Sequence, residues 1–140
     1  LDTIKQVFAY IFYDGEVESS RPKIELHLFD REPFDLYGIT VQPIPIRHGS
    51  GPCHGFRFGK LAYLTDHSEI PEDAFPLLEG VEVLFLDALR YKPHPTHSTV
   101  DQSLKAVARL QPRVTYFTHI SHDLLHERAE SLLPPNVRLA

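Results

Sequence analysis

Five short segments of this chain place a histidine or an aspartate at the end of an apolar run. They span residues 44–49, 63–67, 84–87, 93–97 and 116–122. In a layered α/β protein, strand ends from distant parts of the sequence meet at one cleft, where imidazoles and carboxylates can bind a metal ion. The chain is also rich in histidine, with nine in 140 residues. These features predict part of a metal-dependent hydrolase.

Three of these residues have the chemistry that a site for two metal ions requires. His48 follows an alternating run and precedes Gly49, whose freedom lets the backbone turn sharply beside a ligand. Asp66 follows an apolar run, and a carboxylate can bridge two cations and offset their charge. His119 follows the apolar residues 114–118. Taken singly, a histidine placed like His48 is more often a solvated loop residue, and an aspartate at a strand end, like Asp66, is very often a helix or turn cap, so the prediction depends on the whole set.

Composition narrows the class of protein and its partners. Hydrophobic residues make up 42% and charged residues 24%, values typical of a folded globular domain. The net charge of −5, without any run of lysine or arginine, argues against extended nucleic acid as a partner. The single cysteine, Cys53, cannot form an intrachain disulfide, and neither a leader peptide nor a membrane span is evident. We therefore expect a cytoplasmic protein with a small-molecule substrate.

Hydrophobic periodicity predicts an antiparallel first half and a βαβ-like second half. Pro43 and Pro45 cannot donate to a ladder, so the strand that contains them should be an edge strand or carry a bulge. Ser98 and Asp101 resemble a capping box at a helix start. The predicted elements are helices over 2–12, 72–78, 99–110 and 124–133; a polar loop over 14–21; strands over 23–29 (with His27 outward), 39–46, 81–86, 114–118 and 137–139; and a hairpin of 55–59 with 61–65, turned at Gly59-Lys60. Together they predict an α/β sheet covered by helices.

Four strings, in order, resemble the phosphoribosyl cyclic phosphodiesterase branch of the metallo-β-lactamase fold. They are Tyr-Leu-Thr-Asp at 63–66, Leu-Asp-Ala-Leu-Arg at 86–90, Pro-His-Pro-Thr-His at 93–97 and Thr-His-Ile-Ser-His at 118–122. The resemblance extends from about Phe8 to the last residue. It implies a partial metallo-β-lactamase fold, which is an αββα sandwich, with an antiparallel or mixed sheet covered by helices.

The resemblance also implies roles for individual residues. His48 would ligate one metal ion, His119 the other, and Asp66 would bridge both. His97 would contact the scissile phosphate and protonate the leaving oxygen, a role that suits a loop histidine titrating near neutrality. The implied reaction is hydrolysis of a small, cyclic phosphodiester by a hydroxide held between two manganese or zinc ions.

The remaining histidines and Asp87 have weaker claims. Asp87 either orients a histidine ligand from behind or caps the segment that follows it. His94 and His122 either support the ligands by hydrogen bonding or are solvated or structural. We assign no site role to the other four histidines, which are His27, His54, His67 and His126.

The family's first metal motif, His-x-His-x-Asp-His, has no counterpart in these 140 residues. Three ligands alone cannot hold two metal ions. We therefore interpret residues 1–140 as the C-terminal portion of a single domain whose N-terminal, motif-bearing half is absent, and we expect this portion to be inactive alone and to form homo-oligomers through an open sheet edge. The alternatives are a hydrolase of another ester class (thioester, lactone or RNA) on the same fold and a non-catalytic or partner-completed interaction domain.

Overall fold

Seven strands form one mixed sheet, and their order in space follows their order in the chain. The computed structural model describes residues 1–13, 15 and 20–140, so most of the predicted loop over 14–21 lies outside the described residues. The strands are β1 (Phe34–Leu36), β2 (Ile39–His48), β3 (Gly51–Phe58), β4 (Leu61–Leu64), β5 (Val83–Asp87), β6 (Val114–Thr118) and β7 (Val137–Leu139). Neighbours from β1 to β4 are antiparallel and those from β4 to β7 are parallel. The predicted α/β fold with a mixed sheet is confirmed.

Short helical segments connect the parallel strands. These are a 3₁₀ helix (Glu72–Leu78), α2 (Val100–Leu110) and α3 (His126–Glu130), whereas α1 (Asp2–Val7) precedes the sheet. Parallel neighbours need crossover connections, which carry the chain back to the same edge before each new strand. The carboxyl ends of β4, β5 and β6 therefore lie along one rim of the sheet. Asp66, Asp87 and His119 are at or just beyond these ends, so the topology brings them together.

The two faces of the parallel part of the sheet differ in their covering, because alternate residues of a strand point to opposite faces. On one face, the strand residues are fully buried and form one core cluster with the buried side chains of the helices. These strand residues are Ala62, Leu64, Leu84, Leu86 and Phe117. The opposite row runs across the strands as Tyr63, Phe85 and Tyr116, with ring centroids 5.5 and 5.1 Å apart. Tyr63 is 41% exposed. Among the described residues, the helices thus cover one face and the aromatic row remains partly open.

The strand predicted over 23–29 is wrong. Residues 20–33 contain neither helix nor strand, and Ile24 and Leu28 are exposed. Alternation of apolar and polar residues indicates an amphipathic extended segment, but a strand also needs a neighbour to complete its ladder. Among the described strands, none pairs with this segment. His27 does point outward, since its side chain is 82% exposed.

The prediction that Pro43 and Pro45 mark an edge or bulged strand needs correction. β2 lies between β1 and β3, and its pairing with β3 is unbroken. However, β1 pairs only with residues 39–41. The Arg47 N–H points away from β3 and donates to the Glu69 carbonyl, and amide direction alternates along a strand, so both proline nitrogens face this same side. The prolines therefore cost the β2–β3 ladder no hydrogen bond.

Other boundaries shifted by a few residues. The strands over 114–118 and 137–139 and the hairpin at Gly59-Lys60 are confirmed, but α1 and α3 are shorter than predicted and 72–78 is a 3₁₀ helix that contains Pro76. The capping box of α2 is Thr99 with Gln102, not Ser98 with Asp101. Ser98 instead donates its N–H to the His67 carbonyl. No helix in the described part of the chain is long and apolar enough to cross a bilayer.

Candidate metal centre

Two of the predicted ligands adopt a backbone conformation that is uncommon for their residue types. Asp66, two residues beyond β4, has φ 60°, and His119, the first residue beyond β6, has φ 58°. Non-glycine residues rarely occupy this left-handed region, and such strain concentrates at functional sites. In both cases the chain turns sharply at the rim of the sheet.

One oxygen of Asp66 is the hub of the centre. Its Oδ1 atom lies 3.4 Å from His48 Nε2, 3.6 Å from His97 Nδ1 and 3.7 Å from His119 Nε2. Ligand atoms that share one ion at zinc–ligand distances are themselves about 3.4 Å apart in a tetrahedral arrangement. The observed separations are close to this spacing. Residues from four distant segments thus bring one carboxylate and three imidazoles together at the rim of the sheet.

His97 occupies the middle of a group of imidazoles. Its ring stacks on that of His119 with centroids 4.6 Å apart, meets His48 edge-on at 4.9 Å, and lies 4.9 Å from His94. The His97 side chain is only 12% exposed, against about 40% for His48 and His119. His97 is therefore the most enclosed of the three histidines around Asp66.

Asp87 anchors this group from inside the protein. It is fully buried, and its Oδ2 atom accepts the His67 backbone N–H at 3.0 Å and lies 3.0 Å from His97 Nδ1. Burial raises the pKa of Asp87, and the hydrogen bonds from His97 and His67 oppose that rise. The second oxygen, Oδ1, is buried and accepts no hydrogen bond within the described residues. Of the two roles open to Asp87 from sequence, the contacts favour the orientation of a histidine.

Ser68 connects the loop of Asp66 to the loop of His48. Its hydroxyl oxygen accepts the Gly49 N–H at 2.9 Å, and its own N–H donates to the Arg47 carbonyl at 2.8 Å. Gly49 has φ 60°, and a Cβ there would lie 2.9 Å from Thr96 Cγ2. Sequence reasoning did not select Ser68 or Thr96, because both are ordinary loop residues. They nevertheless hold three ligand-bearing loops together.

Both the sequence and the fold of this chain match known proteins. Residues 1–120 match the family described as the beta-lactamase superfamily domain. The chain belongs to this family. A crystal structure of a diphosphatase from the PhnP family is 45% identical, with a TM-score of 0.88, and the match covers 99% of this chain and 51% of that one. These matches confirm the predicted family and the partial metallo-β-lactamase fold.

Two further matches are to a protein of more distant sequence and to a much longer one. The metallo-beta-lactamase fold protein YhfI from Bacillus subtilis is 15% identical, with a TM-score of 0.69, over 99% of this chain and 59% of that one. A protein named octanoyltransferase from Porphyromonas gingivalis is 31% identical over 140 residues, which is 98% of this chain but 28% of that protein. The superfamily member thus spans about half the length of the similar crystal structures and just over a quarter of the curated relative.

The superfamily member carries a His/Asp cluster able to hold a metal ion. Asp66, Asp87, His97 and His119 each offer one ligand atom, and these four atoms all lie within 4.8 Å of one another. Imidazole nitrogen and carboxylate oxygen suit zinc and manganese alike. The residues present therefore fit the metal that the family implies.

The structure distinguishes His94 from His122, the two histidines for which the sequence predicts at most a supporting role. His94 adjoins His97, accepts the Thr96 N–H at Nδ1, and has its pKa lowered by desolvation and by His97. His122 lies at the surface with its side chain 95% exposed, 3.6 Å from Asp123. No contact within the described residues joins His122 to the cluster. His94 thus lies beside His97 but hydrogen-bonds to Thr96 and not to a ligand, so the support of the ligands by His94 and by His122 stays a prediction.

His67 is buried and uncharged behind the centre, which predicts a stability effect below neutral pH. Burial chiefly, and then His97, lower the pKa of His67 from 6.5 to about 4. The unfolded chain therefore binds more protons between these values, and the free energy of unfolding should fall as pH drops from 6.5 to 4. A shift of this size corresponds to roughly 3 kcal/mol.

Urea unfolding of the chelator-treated chain at pH 7 and pH 4.5 measures this effect. The matched variant His67→Leu keeps the backbone N–H that binds Asp87 but has no titrating ring. Between pH 7 and pH 4.5, the free energy of unfolding should fall less in this variant than in the wild type. The difference between the two falls should be most of the roughly 3 kcal/mol assigned to His67. Parallel losses in the two proteins would show that His67 is not buried in neutral form.

Proposed function

We propose that this chain is the C-terminal, ligand-bearing portion of a metal-dependent hydrolase that cleaves a small phosphodiester, cyclic esters included. The observation that carries the proposal is the contact of one Asp66 oxygen with His48, His97 and His119 at 3.4 to 3.7 Å. The 45% identity to a diphosphatase of the PhnP family supports chemistry at phosphorus. That similarity also makes diphosphate hydrolysis the second candidate.

The proposed site holds two divalent ions, manganese or zinc, and His48, Asp66 and His119 are three of its ligands. His48 would ligate one ion, His119 the other, and Asp66 would bridge both, with the remaining ligands supplied from outside residues 1–140. When bound, the ions stabilise charge on the phosphoryl oxygens and lower the pKa of a coordinated water. The carboxylate of Asp66 would offset part of their charge.

His97 is the proton donor in this proposal. Its Nδ1 faces Asp87 Oδ2 at 3.0 Å, so Nε2 remains available to a substrate. A carboxylate partner stabilises the protonated imidazole and holds the ring in one orientation. His97 can then donate its Nε2 proton to the leaving oxygen.

The charge, the cysteine content and the partly open sheet face of this chain support proposals about its partners and its location. The acidic net charge favours a small substrate over extended nucleic acid or an anionic membrane surface, and the single cysteine is consistent with the cytoplasm. Self-association remains a proposal, supported by the partly open aromatic row on the sheet. Octanoyl transfer is not proposed, because the matched segment is only 28% of the relative that carries that name.

The test is turnover measured beside metal content. The full-length product of the gene is purified, and its manganese and zinc are determined by elemental analysis. Cyclic phosphodiesters, linear phosphodiesters, a diphosphate, a thioester, a lactone and an RNA substrate are assayed. We expect His97→Gln to lower phosphodiester turnover by about 10²- to 10⁴-fold while metal content is retained.

Four outcomes count against parts of the proposal. Equal loss of metal and turnover in His97→Gln would contradict the role as proton donor. Cleavage of the diphosphate alone would favour the second candidate, and cleavage of a thioester, lactone or RNA substrate alone would move the enzyme to another ester class. A full-length protein with neither metal nor hydrolysis would favour the non-catalytic interaction domain.

A further inference from the structure

We propose that Arg90 is a positioning residue for the proton donor and acts through the loop that carries His97. The inference rests on the proposed function in one respect, since it takes His97 as the proton donor. It goes beyond that function by assigning the orientation of the His97 ring to a second group besides Asp87. We call residues 91–97 the histidine loop, because they contain His94 and His97.

The histidine loop is closed at its base and has no regular structure above it. The Leu89 N–H donates to the Ser98 carbonyl at 3.0 Å, and the Val100 N–H donates to the Arg90 carbonyl at 3.1 Å. Residues 91–97 contain neither helix nor strand. Within the described part of the chain, none of them takes part in a backbone–backbone hydrogen bond. The path of the loop therefore depends on its prolines and on side-chain contacts.

Arg90 provides the side-chain contacts at the start of the loop. Its Nε donates to the Lys92 carbonyl at 3.2 Å, and its Nη2 donates to the Pro93 carbonyl at 3.1 Å. Its Nη1 also lies 3.9 Å from Oδ2 of Asp123, on the segment that follows His119. The planar fork of a guanidinium holds several acceptors in a fixed arrangement, which a lysine ammonium cannot reproduce. One side chain thus fixes the first half of the histidine loop.

A short series of contacts connects Arg90 to the His97 ring. The second carbonyl that Arg90 binds immediately precedes His94. His94 Nδ1 accepts the Thr96 N–H at 3.4 Å and lies 3.2 Å from the Thr96 hydroxyl oxygen. The His94 ring lies 4.9 Å from the His97 ring. The bond to Asp87 fixes one nitrogen of His97, and the neighbouring ring limits the tilt of the imidazole plane.

Loss of the guanidinium should therefore misplace the proton donor without removing it. Two carbonyls of the histidine loop would lose their donors, and His94 would no longer be held beside His97. A displacement of about 1 Å at a reacting group can lower a rate by about 10²-fold. The effect should appear in kcat, because proton transfer to the leaving oxygen belongs to the transition state.

The experiment compares Arg90→Gln and Arg90→Lys with the wild type in the full-length product of the gene. Arg109→Gln is the matched control, since Arg109 makes hydrogen bonds of 2.8 and 2.7 Å to Glu72 away from the cluster. We expect Arg90→Gln to lower kcat for the phosphodiester by about 10- to 100-fold. Metal content and KM should stay near the wild-type values, Arg90→Lys should show a smaller loss, and Arg109→Gln should keep the wild-type kcat.

A double-mutant cycle distinguishes positioning of His97 from a general structural role. If Arg90 acts through His97, adding Arg90→Gln to His97→Gln should lower kcat further by less than about 2-fold. A loss as large as that in the wild-type background would show that Arg90 acts on the fold or on the substrate, and would overturn the inference. Wild-type kcat in Arg90→Gln would also overturn it and leave the proposed function standing. Arg90→Lys replaces Arg90→Gln in the cycle if the latter does not fold.

Nuclear magnetic resonance of the histidine-labelled, zinc-loaded proteins tests the positioning without turnover. The ring resonances of His94 and His97 should shift in Arg90→Gln and keep their positions in Arg109→Gln, and those of the exposed His27 should be unchanged in both. Unshifted His94 and His97 resonances in Arg90→Gln would overturn the inference. If the wild type hydrolyses no phosphodiester, the proposed function fails, and the resonances alone decide whether Arg90 positions His97.

Discussion

Asp66→Asn is expected to abolish metal binding at the rim of the sheet, with at least about a 100-fold loss of affinity. The Asp66 carboxylate contacts His48, His97 and His119 together, and it would bridge the two ions of the proposed site. Asparagine keeps the size of the side chain but removes the charge that offsets the cation. Loss of a direct ligand should exceed the 10- to 100-fold effects typical of groups behind the ligands. Zinc titration of the chain and elemental analysis of the full-length protein measure the change.

Asparagine is the informative substitution because of the backbone at this position. Asp66 has φ 60°, and asparagine, like aspartate, tolerates this left-handed conformation, whereas alanine would add about 1–2 kcal/mol of strain. The Asn variant should therefore retain the thermal stability of the metal-free chain, and the Ala variant should lose some of it. Asp123→Asn is the matched control, since it makes the same change at a partly exposed carboxylate paired with Arg90 and His122. Wild-type zinc affinity in Asp66→Asn would exclude Asp66 from the proposed metal centre.

Two substitutions of Asp87 are expected to have different effects. Asp87→Ala should lower stability, and Asp87→Asn should lower turnover. Asp87→Ala should lower the free energy of unfolding by about 2–4 kcal/mol, because it leaves a buried cavity and deprives the His67 N–H and His97 of their acceptor. Asp87→Asn still offers a carbonyl to the His67 N–H, so its stability should stay near that of the wild type. Urea unfolding of the chelated 140-residue chain at pH 7 compares the three proteins.

The asparagine variant isolates the chemical role of the charge. An amide cannot stabilise a protonated His97 as a carboxylate does, and the same change beside a catalytic histidine in another hydrolase lowers turnover by about 10⁴-fold. In the full-length protein we expect Asp87→Asn to reduce phosphodiester turnover by about 10²-fold or more while the fold is kept. Wild-type turnover in Asp87→Asn would show that His97 does not depend on Asp87, and wild-type stability in Asp87→Ala would show that the buried carboxylate contributes little to folding.

The site depends on how a parallel sheet orders distant residues. β4, β5 and β6 each end at the same rim, and a polar residue just beyond an apolar run becomes a neighbour of the polar residues beyond the next strands. This rule made Asp66 and His119 identifiable from sequence. It also made Asp87 visible as a candidate, although its contact with His97, ten residues along the chain, was not determined by any local pattern.

The sequence by itself predicted the strands over 114–118 and 137–139, the Gly59-Lys60 hairpin and the resemblance to the family. These features depend on residues that are close together in the sequence, such as turn residues and short apolar runs. Tertiary structure alone decided that 23–29 is not a strand, that Ser68 binds Gly49, and that Asp87 is buried against His67 and His97. These features depend on which segments become neighbours. Amphipathic alternation shows that a segment has an apolar side, but only the packing of the whole sheet supplies the partner against which that side, or a buried carboxylate, is stabilised.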